Sequence, residues 1–374
     1  MPSVIILSSP FLNTLRARQE ETNALLLGHP VVDYVKKALS GPSWTILPGG
    51  LDVCQGDLLV INEACCGLDE DVLYRFYSSD QRILADYQGT PGIVKVRESE
   101  LASLKELGDA DFDTFFDAWT DMVQPEEADP VVDELFLDVP VVDSYLLVQL
   151  AEKSLAQNIC YDWIEKGVRI DEPTLTRIAP EVLIGAGTWI QGNVRIMGET
   201  KIGSGCLITD RSDISDSTLG DQVTVRSSVI EESVMEEGSN IGPYSHLRPH
   251  AVIGPHVHIG NFVEVKKATL GEGTKAGHLA YIGDADVGKD VNISCGVIFC
   301  NYDGKNKHHT VVGDHAFLGS NANLVAPVEL EDEAFVAAGS TITKKVEQGA
   351  LAVERAEQKS IPGYVAKRKA KGLL

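Results

Sequence analysis

Ile178-Ala-Pro-Glu-Val-Leu-Ile184-Gly-Ala-Gly-Thr-Trp-Ile190-Gln-Gly-Asn-Val-Arg-Ile196-Met-Gly-Glu-Thr-Lys-Ile202 places an isoleucine at every sixth position, and the run continues through Ile208 and Ile214. The spacing slips near Leu219, resumes at Ile241, Leu247, Ile253, Ile259 and Val265, and after a polar interruption runs through Val312, Leu318, Leu324, Leu330, Val336 and Ile342. Glycine often follows the aliphatic, as at Ile184-Gly185, Ile202-Gly203 and Ile253-Gly254. A helix repeats every 3.6 residues and a simple strand every two, so neither sustains sixes. The pattern is the hexapeptide signature of a parallel β-helix, in which each hexad supplies one short strand and one corner and three hexads close a triangular coil. Each inward aliphatic stabilises the prism by about 1.5–3 kcal/mol. The small residue beside it lets the backbone turn and the coils stack.

The rest of the composition fits such a scaffold with something added to it. A chain of 374 residues exceeds one typical domain, so two are expected. Its 34 glycines and 6% aromatics suit repeated tight corners, and 44% apolar residues are ample for a core. No apolar run approaches the ~18 residues of a membrane span, and the N-terminal Met1-Pro-Ser-Val-Ile-Ile-Leu7 has no basic region before its apolar residues, unlike a secretory signal. The seven cysteines lack zinc-type spacing, and reduced thiols in a cytoplasm account for them most simply. The net charge of −23 is concentrated in residues 1–150, which hold 9 basic and 26 acidic side chains. So acidic a chain is a poor partner for nucleic acid.

Residues 3–7 read as a buried strand, Asp33 to Leu39 as a short helix, Asp57 to Asn62 as a second buried strand and Asp69 to Tyr77 as a helix. A further helix is expected from Phe112 to Met122. An acidic, proline-marked linker follows from Gln124 to Glu134, and a helix from Ser144 to Glu165. Strands alternating with helices predict a small α/β layer ahead of the β-helix. The expected organisation is residues 1–139 as the α/β domain, 140–172 as linker end and connecting helix, 173–346 as the β-helix and 347–374 as a C-terminal tail.

Chemistry gathers between Asn261 and Arg355. His246-Leu-Arg-Pro249, Gly260-Asn-Phe-Val-Glu-Val-Lys-Lys267, Lys275-Ala-Gly-His-Leu-Ala-Tyr-Ile-Gly-Asp284, Cys300-Asn-Tyr-Asp-Gly304 and Leu324-Val-Ala-Pro327 occur in that order. With these stretches, residues from about 140 to 360 resemble the acetyltransferase half of the bifunctional bacterial N-acetylglucosamine-1-phosphate uridyltransferase / glucosamine-1-phosphate N-acetyltransferase family. The resemblance implies a left-handed β-helix, a homotrimer with sites between neighbouring chains, and acetyl-CoA as acyl donor. It implies His278 as general base, and an imidazole near neutral pKa suits removal of a proton from an attacking ammonium. Arg248, Lys266 and Lys307 correspond to residues that hold the sugar phosphate, which needs fixed cations. Tyr281 and Asn292 correspond to sugar contacts, and Cys295, Asn301, Tyr302, Ser320, Ala338 and Arg355 to acetyl-CoA contacts.

One departure stands beside this set. Where the family has Asn-Ile-Gly-Ala-Gly, this chain has Asn292-Ile-Ser294-Cys295-Gly296. A backbone N–H at the position of Cys295 is implied to meet the thioester oxyanion, and it survives the side-chain change. His308-His309 also depart from a simple match. Some hexapeptide β-helices are zinc carbonic anhydrases, but no two of His246, His250, His256, His258 and His278 are five apart, and no metal is expected here; His256 and His258 read as alternating on one strand. Residues 1–139 resemble a shortened, degenerate nucleotidyltransferase domain. In place of a glycine-rich phosphate loop they offer Ser8-Ser-Pro10-Phe-Leu-Asn-Thr-Leu-Arg16, and Glu63 and Asp143 align loosely with its metal positions. Mg2+ is expected only if that domain retains nucleotidyl transfer. The function implied is an N-acetyltransferase acting on glucosamine-1-phosphate or a similar amino-sugar phosphate, with no nucleic acid or membrane partner. The alternatives are a non-catalytic sugar-nucleotide-binding scaffold and residual uridyltransferase activity.

Overall fold

The computed structural model describes residues 3–18, 25–27, 29–41, 44–47, 56–66, 68–86, 88–108, 110–124 and 141–373. The expected linker from Gln124 to Glu134 lies, apart from Gln124, outside the described residues. The chain divides into two compact units, Met1–Val182 with Gln191–Glu199, and Leu183–Ile190 with Thr200–Leu374.

In the first unit, strand Leu58–Asn62 is the centre of a mixed sheet. It pairs parallel with Ser3–Leu7 and antiparallel with Pro91–Val96, and Thr45–Ile46 and Ile83–Ala85 lie at the sheet's edges among the described residues. Every residue of Leu58–Asn62 is buried. Leu59 and Ile61 join one apolar cluster, while Leu58 and Val60 join the other, because alternate side chains of a strand point to opposite faces. Helices Val31–Ala38 and Glu70–Ser78 contribute to the first cluster, together with Val148 and Ala151 of the long helix Tyr145–Glu165. Helices Glu98–Leu104 and Phe112–Thr120 contribute to the second. Side-chain caps set three of the helix starts: Asp69 accepts from the Val72 N–H at 2.7 Å, Asp111 from Thr114 at 3.0 Å and Ser144 from Leu147 at 3.4 Å. The helices expected from sequence are all present, each shifted by a residue or two at its ends.

The hexapeptide run folds as a left-handed parallel β-helix of about ten turns. Coils stack in register, with His246, Glu264, Tyr281, Ile298 and Asn323 forming one column and His258, Lys275, Asn292, Phe317 and Phe335 another. The slip near Leu219 is not a break. Ile214, Leu219, Val225, Ile230, Met235 and Ile241 are all buried, and the coils continue with some corners one residue shorter. The aliphatic-following glycines stand where coils meet. A Cβ on Gly203 would lie 2.6 Å from the Gly220 carbonyl carbon, and one on Gly271 2.6 Å from that of Gly288. His256 is corrected: it occupies a left-handed corner at φ 58°, and only His258 begins the strand His258–Asn261.

Candidate active site

The strand Glu264–Leu270 aims side chains outward at alternate positions, so Glu264 and Lys266 share a face. One coil earlier Arg248 follows His246–Leu247, and its guanidinium donates to Glu264 Oε1 at 2.7 Å. Lys266 lies side by side with Lys307, and Arg248 and Lys267 add to the positive field. Contact with the Lys307 ammonium, then the charge of Arg248, pulls the Lys266 pKa below its ordinary value. The fold has thus brought together three cations expected to hold a phosphate, with one of them half-neutralised by a carboxylate the sequence reading did not assign.

Lys307 arrives there on an insertion of the coil. After Ile298–Cys300 the chain leaves the prism as a short hairpin, closed by an antiparallel bridge between Tyr302 and Lys307 and by the His308 N–H donating to the Asn301 carbonyl at 2.8 Å. Asp303 organises the tip, accepting from the main chain of Lys305 at 2.8 Å and Asn306 at 2.6 Å, and pairing with His308 at 2.7 Å. These bonds, the Asn306 N–H first, hold its carboxyl well below the usual range. His309 reaches Asp286 at 2.9 Å. The two histidines that depart from the family pattern therefore fasten the hairpin. Tyr302 is exposed and its hydroxyl donates to the Gly304 carbonyl at 2.7 Å. Asn301, by contrast, is buried at the hairpin's base and donates to both the Tyr281 hydroxyl, at 3.3 Å, and Asp284.

A second group of the expected residues forms a ladder along one corner. Leu279, Gly296, Asn321 and Gly339 all have positive φ, between 52° and 75°, and the residue before each is His278, Cys295, Ser320 and Ala338. Main-chain bonds tie the rungs: Gly296 N–H to Leu279, Asn321 to Cys295, Gly339 to Ser320. Arg355, on the segment after Leu351–Ala352, donates to the Ala338 carbonyl at 2.8 Å. The ladder is lined by small side chains, and the Cys295 N–H makes no hydrogen bond among the described residues. His278 closes the strand Lys275–His278, is exposed, and its ring has no hydrogen-bond or ion-pair partner among the described residues. Only Leu279-Ala280 separates it from Tyr281, and the coil that carries both stacks on the coil of Glu264 and Lys266.

Asn292 stands apart from the cations, on the column of Lys275 and Phe317, three residues ahead of Cys295. Its amide donates to the Ser294 hydroxyl at 3.0 Å. Ser294 therefore takes up a donor that a glycine in its place would leave free. Sequence reasoning missed Glu264, Ser294 and Asp284 as partners; the alternation of strand side chains was the one available signal, and it applies to Glu264.

In the first unit, the segment after the first strand is the helix Pro10–Arg18, and from it Arg16 reaches Glu63 with two bonds of 2.9 and 2.7 Å. The Ser9 N–H donates to the same carboxylate at 2.8 Å. Glu63 thus pairs with a guanidinium and a main-chain N–H. Asp143 lines a neighbouring cavity of about 520 Å³ with Ser9, Phe11, Asn62, Phe112, Asp113 and Asp117. Burial, and then Asp111, Asp117 and Asp143, raises the Asp113 carboxyl. A cavity lined by three aspartates together with Pro10 and Phe11 offers little to a triphosphate.

Residues 232–267 match the family described as bacterial transferase hexapeptide (six repeats), and residues 309–344 match the hexapeptide repeat of succinyl-transferase. The bifunctional protein GlmU of Clostridium beijerinckii is 47% identical over 227 residues, 61% of this chain and 50% of that protein. GlmU of Enterococcus faecalis is 53% identical over 226 residues, 60% and 49% of the two chains. Over about 60% of its length the chain is GlmU-like. It spans about half the length of these GlmU relatives. Among solved structures, LpxA from Acinetobacter baumannii is matched at 16% identity and a TM-score of 0.25, over 54% of this chain and 77% of that one, which leaves the GlmU sequences to carry the likeness. No described helix is long and apolar enough to cross a membrane.

Proposed function

We propose that the β-helix unit is an acetyl-CoA-dependent N-acetyltransferase acting on glucosamine-1-phosphate or a close amino-sugar phosphate. The observation that carries this is the clustering of Arg248, Lys266 and Lys307, with Lys266 on the coil next to the one that carries the exposed imidazole of His278. Arg248, Lys266 and Lys307 receive the phosphate, which relieves their mutual repulsion. Tyr281 donates to a ligand oxygen, and Asn292 presents its amide to the sugar from the adjoining face.

The ladder of Cys295, Ser320 and Ala338 leaves room for the pantetheine arm, and Arg355 meets a coenzyme phosphate beside it. Acetyl-CoA supplies an activated thioester. The amine nitrogen attacks the thioester carbonyl, a C–N bond forms, the C–S bond breaks, and the thiolate leaves as a thiol by taking up the proton the nitrogen has lost. His278 accepts the proton that the nitrogen loses, a role worth about 10²–10⁴-fold. The unpaired Cys295 N–H faces the developing oxyanion; a donor of this kind contributes roughly 3–4 kcal/mol to the barrier.

The same reading makes the active molecule a homotrimer in a cytoplasm, with sites between neighbouring chains. It assigns residues 173–346 to catalysis, 1–139 to a nucleotidyltransferase-like domain without uridyl transfer or need of Mg2+, 140–172 to the connection and 347–374 to the cofactor-side tail. The test is release of coenzyme A thiol on mixing the chain with acetyl-CoA and glucosamine-1-phosphate. Acetyl-CoA binding without turnover on any amino-sugar phosphate would instead favour the scaffold alternative.

A further inference from the structure

We infer that Asp284 is a positioning residue of this site: through the buried amide of Asn301 it aims the Tyr281 hydroxyl at the amino-sugar phosphate and anchors the hairpin that carries Lys307. The inference rests on the reading above and adds to it a residue with no role there.

Asp284 lies in the strand Tyr281–Val287 at φ 49°, a left-handed kink that Asp and Asn tolerate better than most residues. A carboxylate only accepts hydrogen bonds, so the Asn301 group facing it is the NH2. That choice of face turns Nδ2 toward the Tyr281 hydroxyl as well. Because the tyrosine oxygen accepts from Asn301, its own hydrogen is left to donate to a ligand oxygen. Asn301 is only 7% exposed, which fixes this arrangement by packing as well as by hydrogen bonding.

Gly283 makes the contact possible. A Cβ there would stand 2.5 Å from the Tyr281 hydroxyl oxygen and 2.8 Å from Asn301 Nδ2, and its φ is not left-handed, so the glycine provides space rather than a turn. The main chain of Asn301 also closes the hairpin through His308, one residue before the Tyr302–Lys307 bridge. Asn301 therefore meets the tyrosine through its side-chain amide and the hairpin through its main-chain carbonyl, and Asp284 holds that side chain in place.

The experiment compares wild type, Asp284→Ala, Asp284→Asn and Gly283→Ala, using the full chain. It measures initial rates against glucosamine-1-phosphate at saturating acetyl-CoA, calorimetric binding of glucosamine-1-phosphate, and the thermal midpoint. Asp284→Ala is expected to raise KM and Kd for the sugar phosphate about tenfold, the scale of one net hydrogen bond, with kcat within about threefold. Asp284→Asn keeps an oxygen acceptor and the left-handed kink, and is expected to stay within about threefold of wild type throughout. Gly283→Ala, which leaves Asp284 intact but pushes the hydroxyl aside, is expected to reproduce Asp284→Ala at an unchanged thermal midpoint. An unchanged KM in Asp284→Ala and Gly283→Ala overturns the inference while leaving the acetyltransferase standing. So does a loss in kcat alone, or one that tracks a fall in the thermal midpoint and is not rescued by asparagine. A wild type that neither turns over nor binds glucosamine-1-phosphate overturns both.

Discussion

At the residue scale, the proposed mechanism separates side chains that act by their chemistry from side chains whose backbone acts for them. His278 belongs to the first kind, and His278→Ala is expected to lower kcat by at least a hundredfold with substrate KM values changed by less than about fivefold. Cys295 belongs to the second. Its N–H is unaffected by the side chain, so Cys295→Ala is expected to keep kcat within about threefold of wild type; a loss as large as that of His278→Ala would make the thiol a participant. Lys266 gives the site a pH signature. Lys307, and then Arg248, lower its pKa, so its repulsion burdens the folded state below that lowered pKa and is relieved as pH rises through it. A phosphate ligand removes the same burden. The rise in thermal midpoint on adding glucosamine-1-phosphate is therefore expected to be greatest near neutral pH and to shrink toward about pH 10, where lysines begin to lose their protons. A shift independent of pH over that range would separate the phosphate from Lys266.

At the element scale, stability is decided by how closely coils approach. A Cβ on Gly260 would stand 1.7 Å from the Gly277 carbonyl oxygen, whereas one on Gly277 would meet nothing within 4 Å. Gly260→Ala is expected to destabilise the β-helix by more than about 3 kcal/mol, in the range of severe overpacking, and Gly277→Ala to fold normally; equal melting temperatures would contradict the stacking described. This scale also shows what a sequence can and cannot reveal. The hexad run was legible because each inward aliphatic is buried by its own coil; four helices were legible, whereas Pro10–Arg18 and Glu98–Leu104 were not expected. Between Leu219 and Ile241 the repeat faded only because corners lost a residue while the inward positions stayed filled. Contacts between rungs were hidden: Arg248 meets Glu264 across 16 residues and Asn301 meets Asp284 across 17, separations set by the length of each coil rather than by any local pattern. His278, Tyr281 and the cations were singled out only through the family resemblance, since a lone histidine in a repeat has no signature of its own.

At the scale of the whole molecule, the two units differ in what their charges permit. In the first, Arg16 closes on Glu63 from a helix that stands where a phosphate-binding loop is needed. Incubation with UTP, N-acetylglucosamine-1-phosphate and Mg2+ is expected to release no pyrophosphate above a protein-free control, and release at an enzymatic rate would restore that unit as a nucleotidyltransferase. The second unit carries the cation cluster and, on the stacked coil, the exposed His278 on which the proposed acetyl transfer depends. The most direct measurement is thiol release from acetyl-CoA with glucosamine-1-phosphate as acceptor, for wild type and His278→Ala side by side. Turnover by the wild type that falls at least a hundredfold in the variant is the predicted result. Equal turnover in both proteins, or none in the wild type with either ligand unbound, would contradict it.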